Sequence, residues 1–481
     1  MEIALIFEGS YPFVSGGVST WAHQLITELS DLNFKILSIM PSRDGLPTSK
    51  YKLPANVTEM QTIYLDDYNT LPPLNQGKEP RLSKRQLHEI EQFLSFDQDA
   101  DWQVAMPVLT DPQKIGNPIE FLKSKMYWEF MLKLHHEDYA SHDFNRFFWT
   151  MVSMYLPLIT MLQHEGLQAD IYHPVSTGYA GLLGLAYKIK YNKPLILTEH
   201  GVYAREREEE IIKAKWVEGI YKKMWIRYFY FISTGVYKQA ELVISLFQKT
   251  RALQIELGAD SRRALVIPNG VDTDRFKLVP GLKKEGKNIG SVLRVVPIKD
   301  VKTLIRAFKI VQDQMPDTKL YIIGGHEEDI NYYHECRHLA SLLNLTNKII
   351  FTGQADTMEF LPKLDLLVLT SVSEGQPLVM LEGMAAGIPF VVTDVGSCRE
   401  LIEGIGEDDI GPCGIVTQPA SPDQTAQAIM KILTNLEMME QMGNNAVKRV
   451  EKYYTQELLV KNYREVYTQV FAGKQQTGCF C

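Results

Sequence analysis

Short apolar, β-branched runs recur along the chain, each closed by Gly, Asn, Ser or Asp and followed by a stretch with helical spacing. In the first half they lie at 3–7, 34–39, 170–173, 195–198, 242–245 and 265–267. In the second half they lie at 289–293, 319–323, 348–351, 366–369, 389–393 and 414–417. The runs are continuous rather than alternating, which predicts strands buried on both faces and therefore parallel α/β sheets. Two such series predict two doubly wound, Rossmann-like domains. Ligands of doubly wound sheets bind beyond the carboxyl ends of the strands, so two facing domains would enclose a cleft.

The stretch at about 51–168 interrupts the first series. It is charged, aromatic and mostly helical in pattern, and reads as an insertion on the N-terminal domain, with Leu71-Pro72-Pro73 to Arg81 as its mobile loop. A Gly-, Lys- and Pro-rich stretch from Asp272 to Asn288 predicts the domain boundary. The expected division is an N-terminal domain over 1–275 and a C-terminal domain over 286–453. An amphipathic helix over 454–472, packing back on the N-terminal domain, and a flexible tail over 473–481 complete it. The uncharged run 147–163 carries Pro157 and falls short of the ~20 residues a spanning helix needs, so it reads as a buried helix. The stretch 213–238 interleaves Trp216, Trp225, Tyr228 and Phe231 with lysines and Arg227. It reads as a packed amphipathic helix pair, the alternative being a membrane-surface or partner-docking face.

Composition narrows the class. A chain of 481 residues exceeds a single core. The net charge of −8 argues against a nucleic-acid binder, which would show a basic balance. Five scattered cysteines make no disulfide framework and suit a reducing compartment. The chain opens directly on a strand, with no charged segment and apolar core ahead of it, so no secretory signal is expected and the location reads as cytoplasmic.

The chemistry gathers in a few motifs. Ser373-Glu374-Gly375-Gln376-Pro377-Leu378-Val379-Met380-Leu381-Glu382-Gly383 follows the run 366–369, with Pro377 placed to be the first residue of a helix. The loop and helix start offer free backbone N–H groups and a positive dipole end, which suit a phosphate. Two acids flanking a phosphate site fit a nucleotide sugar, which carries polyols on both sides of its diphosphate. Arg294 closes the first strand of the second series and Lys299 follows just before a helix; two such cations would stabilise a departing diphosphate. Lys302 competes with Lys299 for that role. In the first domain Gly16-Gly17 opens a helix after the first strand, letting backbone approach an anion closely. His200 closes a strand in Thr198-Glu199-His200-Gly201, where active sites of such sheets collect. Asp272-Thr273-Asp274 copies a D-x-D metal motif but reads as a turn, and Cys479-Phe480-Cys481 reads as part of a disordered tail.

Taken together, Gly16-Gly17, Thr198-Glu199-His200-Gly201, Pro268-Asn269-Gly270-Val271-Asp272, Arg294 with Lys299, and Glu374 with Glu382 resemble the retaining glycosyltransferases of family GT4, in their order. The resemblance covers nearly all of the chain outside the insertion. It implies the GT-B fold, two Rossmann-like domains across a cleft. Glu382 then meets the ribose of the nucleotide, Glu374 the transferred sugar, and Arg294 and Lys299 the diphosphate. Gly375, Gln376, Leu378 and Val379 supply backbone N–H groups, Gly353 lies beside the base, and His200 beside the donor sugar. More narrowly, Glu8-Gly9-Ser10-Tyr11-Pro12 to Trp21, the segment Thr198 to Glu208 and the long insertion resemble the PelF branch, which acts in Pel exopolysaccharide synthesis.

On that resemblance a UDP-sugar is the donor and a carbohydrate the acceptor, with no metal or other cofactor and no nucleic acid. An inner-membrane polysaccharide synthase or export complex is the expected partner, docking the chain at the inner face of the cytoplasmic membrane. Two other functions share these residues: a GT-B sugar-nucleotide epimerase, and a nucleotide-sugar-binding subunit of a synthase complex.

Overall fold

The computed structural model describes residues 1–43, 48–70, 79–277, 287–406 and 408–473. The Leu71 to Lys78 part of the expected mobile loop, most of the Lys-rich boundary stretch, and Cys479 and Cys481 lie outside the described residues. The chain divides into two units. The first comprises Met1–Ser245, Thr250–Val266 and Tyr463–Cys481, and the second comprises Leu246–Lys249 and Ile267–Asn462.

In the first unit the strands are β1 (Glu2–Glu8), β2 (Asn33–Met40), β3 (Val57–Tyr64), β4 (Ile171–Pro174), β5 (Ile196–Glu199), β6 (Leu242–Ser245) and β7 (Ala264–Val266). They form a sheet of order β3-β2-β1-β4 and a sheet of order β5-β6-β7, every pairing parallel. A parallel bridge between Tyr172 and Leu195 links the two. The middle of β1, Ile3 to Phe7, is buried throughout, as its unbroken apolar run requires. β3 is a difference from the sequence reading, which placed it inside a helical insertion. It is a half-exposed edge strand in which Thr58, Glu59 and Gln61 interrupt the apolar residues.

The described remainder of 51–168 is mostly helical, in several short helices and one long one. Its longest helix, α2 (Phe144–Leu162), follows α1 (Gly17–Glu28) in our numbering, carries Pro157 in its interior and buries Met151, Tyr155 and Leu158. Two further helices, α3 (Tyr203–Lys213) and α4 (Gly219–Gln239), pack against each other. No helix among the described residues is long and apolar enough to cross a membrane.

The second unit contains β8 (Lys287–Val292), β9 (Thr318–Ile323), β10 (Ile349–Gly353), β11 (Leu366–Leu369), β12 (Phe390–Thr393) and β13 (Gly414–Thr417). Their order is β10-β9-β8-β11-β12-β13, all parallel. The order reverses between β8 and β11, and that switch point is where such sheets bind ligands. Alternate residues of β11 feed two cores. Leu366 and Val368 join one with Leu304 and Phe308, while Leu367 and Leu369 join the other with Leu381 and Phe390. Each such side chain contributes about 1.5–3 kcal/mol on burial. The helices α5 (Val301–Gln314) and α6 (Leu378–Ala385) follow β8 and β11 respectively.

The division falls just after β7, ahead of the Gly- and Lys-rich stretch. Val271 pairs with Thr455, donating to the Tyr454 carbonyl and accepting from the Gln456 N–H, which ties the Asn269-Gly270-Val271 segment into the second unit. The last helix, α7 (Gln456–Phe471), delivers Tyr463 and Tyr467 to the first unit. Tyr467 hydroxyl lies 2.7 Å from His173 Nδ1, and Tyr463 hydroxyl lies 3.0 Å from Thr198 Oγ1.

Candidate active site

In the second unit four of the singled-out side chains follow the two strands at the switch point. Arg294 and Lys299 follow β8; Glu374 follows β11 and Glu382 lies in α6. The turn at Pro297–Lys299 ends at Asp300, which takes a left-handed conformation with φ 44° and caps α5 by accepting from Thr303 N–H. The loop after β11 is fastened to this turn. Val372 N–H donates to the Ile298 carbonyl (2.9 Å), and Thr370 hydroxyl reaches the Lys299 and Asp300 carbonyls. Backbone contacts thus bring Lys299 Nζ to 2.5 Å from Glu374 Oε1, which also accepts from Ser371 hydroxyl at 2.5 Å. Lys302 points elsewhere, pairing with Glu335 and lying over the Tyr332 ring. Of the two candidate lysines, Lys299 is therefore the one beside the acid.

Arg294 is exposed and pairs with Glu328, itself exposed. Exposed pairs of this kind contribute little, so the guanidinium can exchange Glu328 for an incoming anion. Pro377 is the residue before α6 rather than its first, with an extended backbone (φ −71°, ψ 116°). Leu378 and Val379 open the helix, their N–H groups lacking intrahelical acceptors, and its first turn holds no acidic side chain. Gln376 is buried, and its side-chain oxygen accepts from Asn269 N–H at 2.6 Å, so that side chain is committed to the protein. Gly375 offers its carbonyl to both the N–H and the hydroxyl of Ser397. Gly396 beside it has φ 54°, and a Cβ there would lie 2.2 Å from the Glu374 carbonyl oxygen. Glu382 is half-buried. Desolvation raises its carboxyl above the ordinary range, with Arg275 opposing and Asp356 reinforcing. Gly353 ends β10 at φ 68°, and its carbonyl accepts from Gly324 N–H. Asp272 caps a single helical turn through Arg275 N–H, as the turn reading expects.

In the first unit, α1 starts at Gly17, and an added Cβ at Gly16 or Gly17 meets no atom within 4 Å. Packing within the protein does not demand glycine there, while the close approach of a ligand would. His200 follows β5, edge-on to Trp21 at 4.9 Å between ring centroids. Desolvation lowers its pKa to about 4, so the ring is neutral at neutral pH. Its buried Nε2 has no protein partner among the described residues. Glu199 beside it is held by Thr177 hydroxyl, Tyr237 hydroxyl and Gln254 amide, yet burial raises its carboxyl pKa. Glu8, at the end of β1, accepts from Tyr203 hydroxyl (2.7 Å) and Tyr179 N–H (2.9 Å) and is likewise raised by burial, against the pull of Arg207. Among the described residues no group of three His, Cys, Asp or Glu side chains is placed to hold a metal ion.

Ser371, Ser397 and Gly396 were not singled out from the sequence. Gly396 carried a signal: a glycine two residues before a helix and just after an apolar strand marks a special backbone position. Ser371 carried none, because one serine in a Ser-rich loop is indistinguishable from its neighbours.

Residues 1–262 match the family model described as domain of unknown function (DUF3492), and residues 272–449 match that of the glycosyl transferases group 1. The chain belongs to the DUF3492 family. The chain is 26% identical over 200 residues to N-acetyl-alpha-D-glucosaminyl L-malate synthase of Bacillus anthracis, covering 41% of the chain and 50% of that relative. It thus spans about half the length of that curated relative. Among solved structures, sucrose-phosphate synthase from Thermosynechococcus elongatus superposes with TM-score 0.63 at 17% identity, covering 98% of this chain and 100% of that one. HepE of Anabaena, solved in complex with UDP, superposes with TM-score 0.61 at 15% identity over the same shares. The fold of this DUF3492 chain is GT-B.

Proposed function

We propose that the chain is a retaining GT4-type glycosyltransferase that moves a hexose or N-acetylhexosamine from a UDP-sugar to a hydroxyl of a growing polysaccharide. The observation that carries this is the joined pair Lys299–Glu374 at the β8/β11 switch point, beside the acid-free start of α6 and exchangeable Arg294. Arg294, Lys299 and the Leu378 and Val379 N–H groups receive the diphosphate, and Glu382 takes the ribose hydroxyls. As the bond from the anomeric carbon to the diphosphate breaks, negative charge grows on the leaving oxygen, and these donors stabilise it without rearranging. The acceptor oxygen bonds to the same face of that carbon, and its proton passes to the departing phosphate. Glu374, fixed by Lys299 and Ser371, positions the sugar. No metal takes part. The UDP bound by HepE supports UDP as the nucleotide, and the likeness of the opening segment and insertion to the PelF branch supports a cytoplasmic, Pel-like role beside a membrane synthase complex.

A thermal-shift panel of UDP, GDP and ADP, followed by UDP-sugars with and without oligosaccharide acceptors, tests the reading. The expected result is selective stabilisation by UDP, with UDP release that accelerates when acceptor is added. Isomerised nucleotide sugar formed without acceptor would make the chain an epimerase instead.

A further inference from the structure

Three of the six tryptophans are substantially exposed, and all three lie in the first unit. Trp216 is 71% exposed, Trp149 66% and Trp128 46%. Large aromatics stranded together on a surface mark a binding site more often than chance. Trp149 and Trp216 line one groove of about 320 Å³, which puts it at the lower end of small-ligand pockets, ~300–1,000 Å³. Each ring rests against an aromatic neighbour, Trp149 edge-on to Phe148 at 5.5 Å and Trp216 edge-on to Trp225 at 6.0 Å, and leaves a flat face open.

Between them the lining is polar. Arg146 pairs with Glu218 at 2.6 Å, and Thr150 and Ser153 donate their hydroxyls to helix carbonyls, leaving oxygen lone pairs for a ligand. From these features we infer that the groove is a carbohydrate-chain-binding site separate from the nucleotide site. A pyranose ring presents apolar C–H faces and an equatorial rim of hydroxyls. Flat indole platforms with a guanidinium, a carboxylate and hydroxyls between them match both parts.

Charge decides against a membrane surface. Arg146 is the one cation of the groove's lining and is paired with Glu218, so the groove itself lacks the excess of cations that anionic headgroups require. The choice of a sugar polymer as occupant rests on the transferase reading, in which such a groove holds the growing acceptor.

The test is calorimetric titration of the full chain with chitohexaose and with maltohexaose, for the parent, Trp149→Ala and Trp216→Ala, with UDP titrated in parallel. Both tryptophans are exposed, so the variants keep their fold, checked by circular dichroism. The expected result is saturable binding of at least one hexasaccharide, weakened by at least about tenfold in Trp216→Ala, with UDP affinity unchanged. Absence of saturable binding by both hexasaccharides, or equal binding by the variants, overturns the proposal. So does tryptophan-dependent co-sedimentation with phosphatidylglycerol vesicles in place of sugar binding. Sugar binding with no affinity for UDP upholds the groove and counts against the transferase reading instead.

Discussion

Deleting Lys299 alone should destabilise the second unit more than deleting Lys299 and Glu374 together. The two side chains are 17% and 9% exposed, and among the described residues Glu374 Oε1 accepts from the side chains of Lys299 and Ser371. Lys299→Ala leaves a nearly buried carboxylate with a hydroxyl as its remaining side-chain donor. Breaking a fully buried pair costs about 3–5 kcal/mol, and the partial exposure of Lys299 reduces this to about 2–3 kcal/mol. Removing both groups takes the charge away and costs about 1 kcal/mol of lost packing. All six tryptophans belong to the first unit, so intrinsic fluorescence does not report on this region. Hydrogen-exchange mass spectrometry on peptides covering 297–304 and 366–377 does. Exchange in Lys299→Ala should accelerate roughly 30- to 150-fold, and Lys299→Ala/Glu374→Ala should recover most of that. Parent-like exchange in Lys299→Ala, or a double variant as fast as the single one, would refute the reasoning.

Glu382→Ala should weaken UDP binding by at least about tenfold in calorimetry, whereas Glu374→Ala should keep UDP affinity and lose turnover; the reverse pattern would exchange the two roles. Because burial raises the folded-state pKa of Glu382, its ionisation opposes folding as pH rises above the ordinary carboxyl value of 4.5. Glu382→Gln should therefore raise the thermal midpoint at pH 7 to 8, with the gain vanishing below about pH 4; a gain independent of pH would sink this. Gly396→Ala combines a left-handed backbone with a 2.2 Å clash against the Glu374 carbonyl, and should destabilise the second unit by more than about 2 kcal/mol while displacing the loop. A parent-like melting curve with unchanged exchange at 366–377 would contradict it.

Much of the fold was legible because strands buried on both faces leave unbroken apolar runs, and twelve of these were readable directly. β3 was not, since an edge strand half open to water keeps polar residues among its apolar ones, and the helical pattern beyond it dominated the window. In the site, the acids and cations announced themselves by their place after strands. The choice between Lys299 and Lys302 did not, because it turns on the left-handed Asp300, which redirects the chain between them. Gln376 was read only for its backbone N–H; that its side chain is claimed by Asn269 N–H was not legible, because the acceptor's partner lies over a hundred positions away in the chain. Pro377 missed the helix by one residue, a boundary that propensity alone does not set.

The central claim meets its most direct test in a proton NMR time course of the purified chain with an α-linked UDP-sugar and an oligosaccharide acceptor. The account predicts UDP and a new α-glycoside appearing in equal amounts, with Arg294→Ala slowing both. A β-glycoside, or an isomerised UDP-sugar without UDP release, would contradict it.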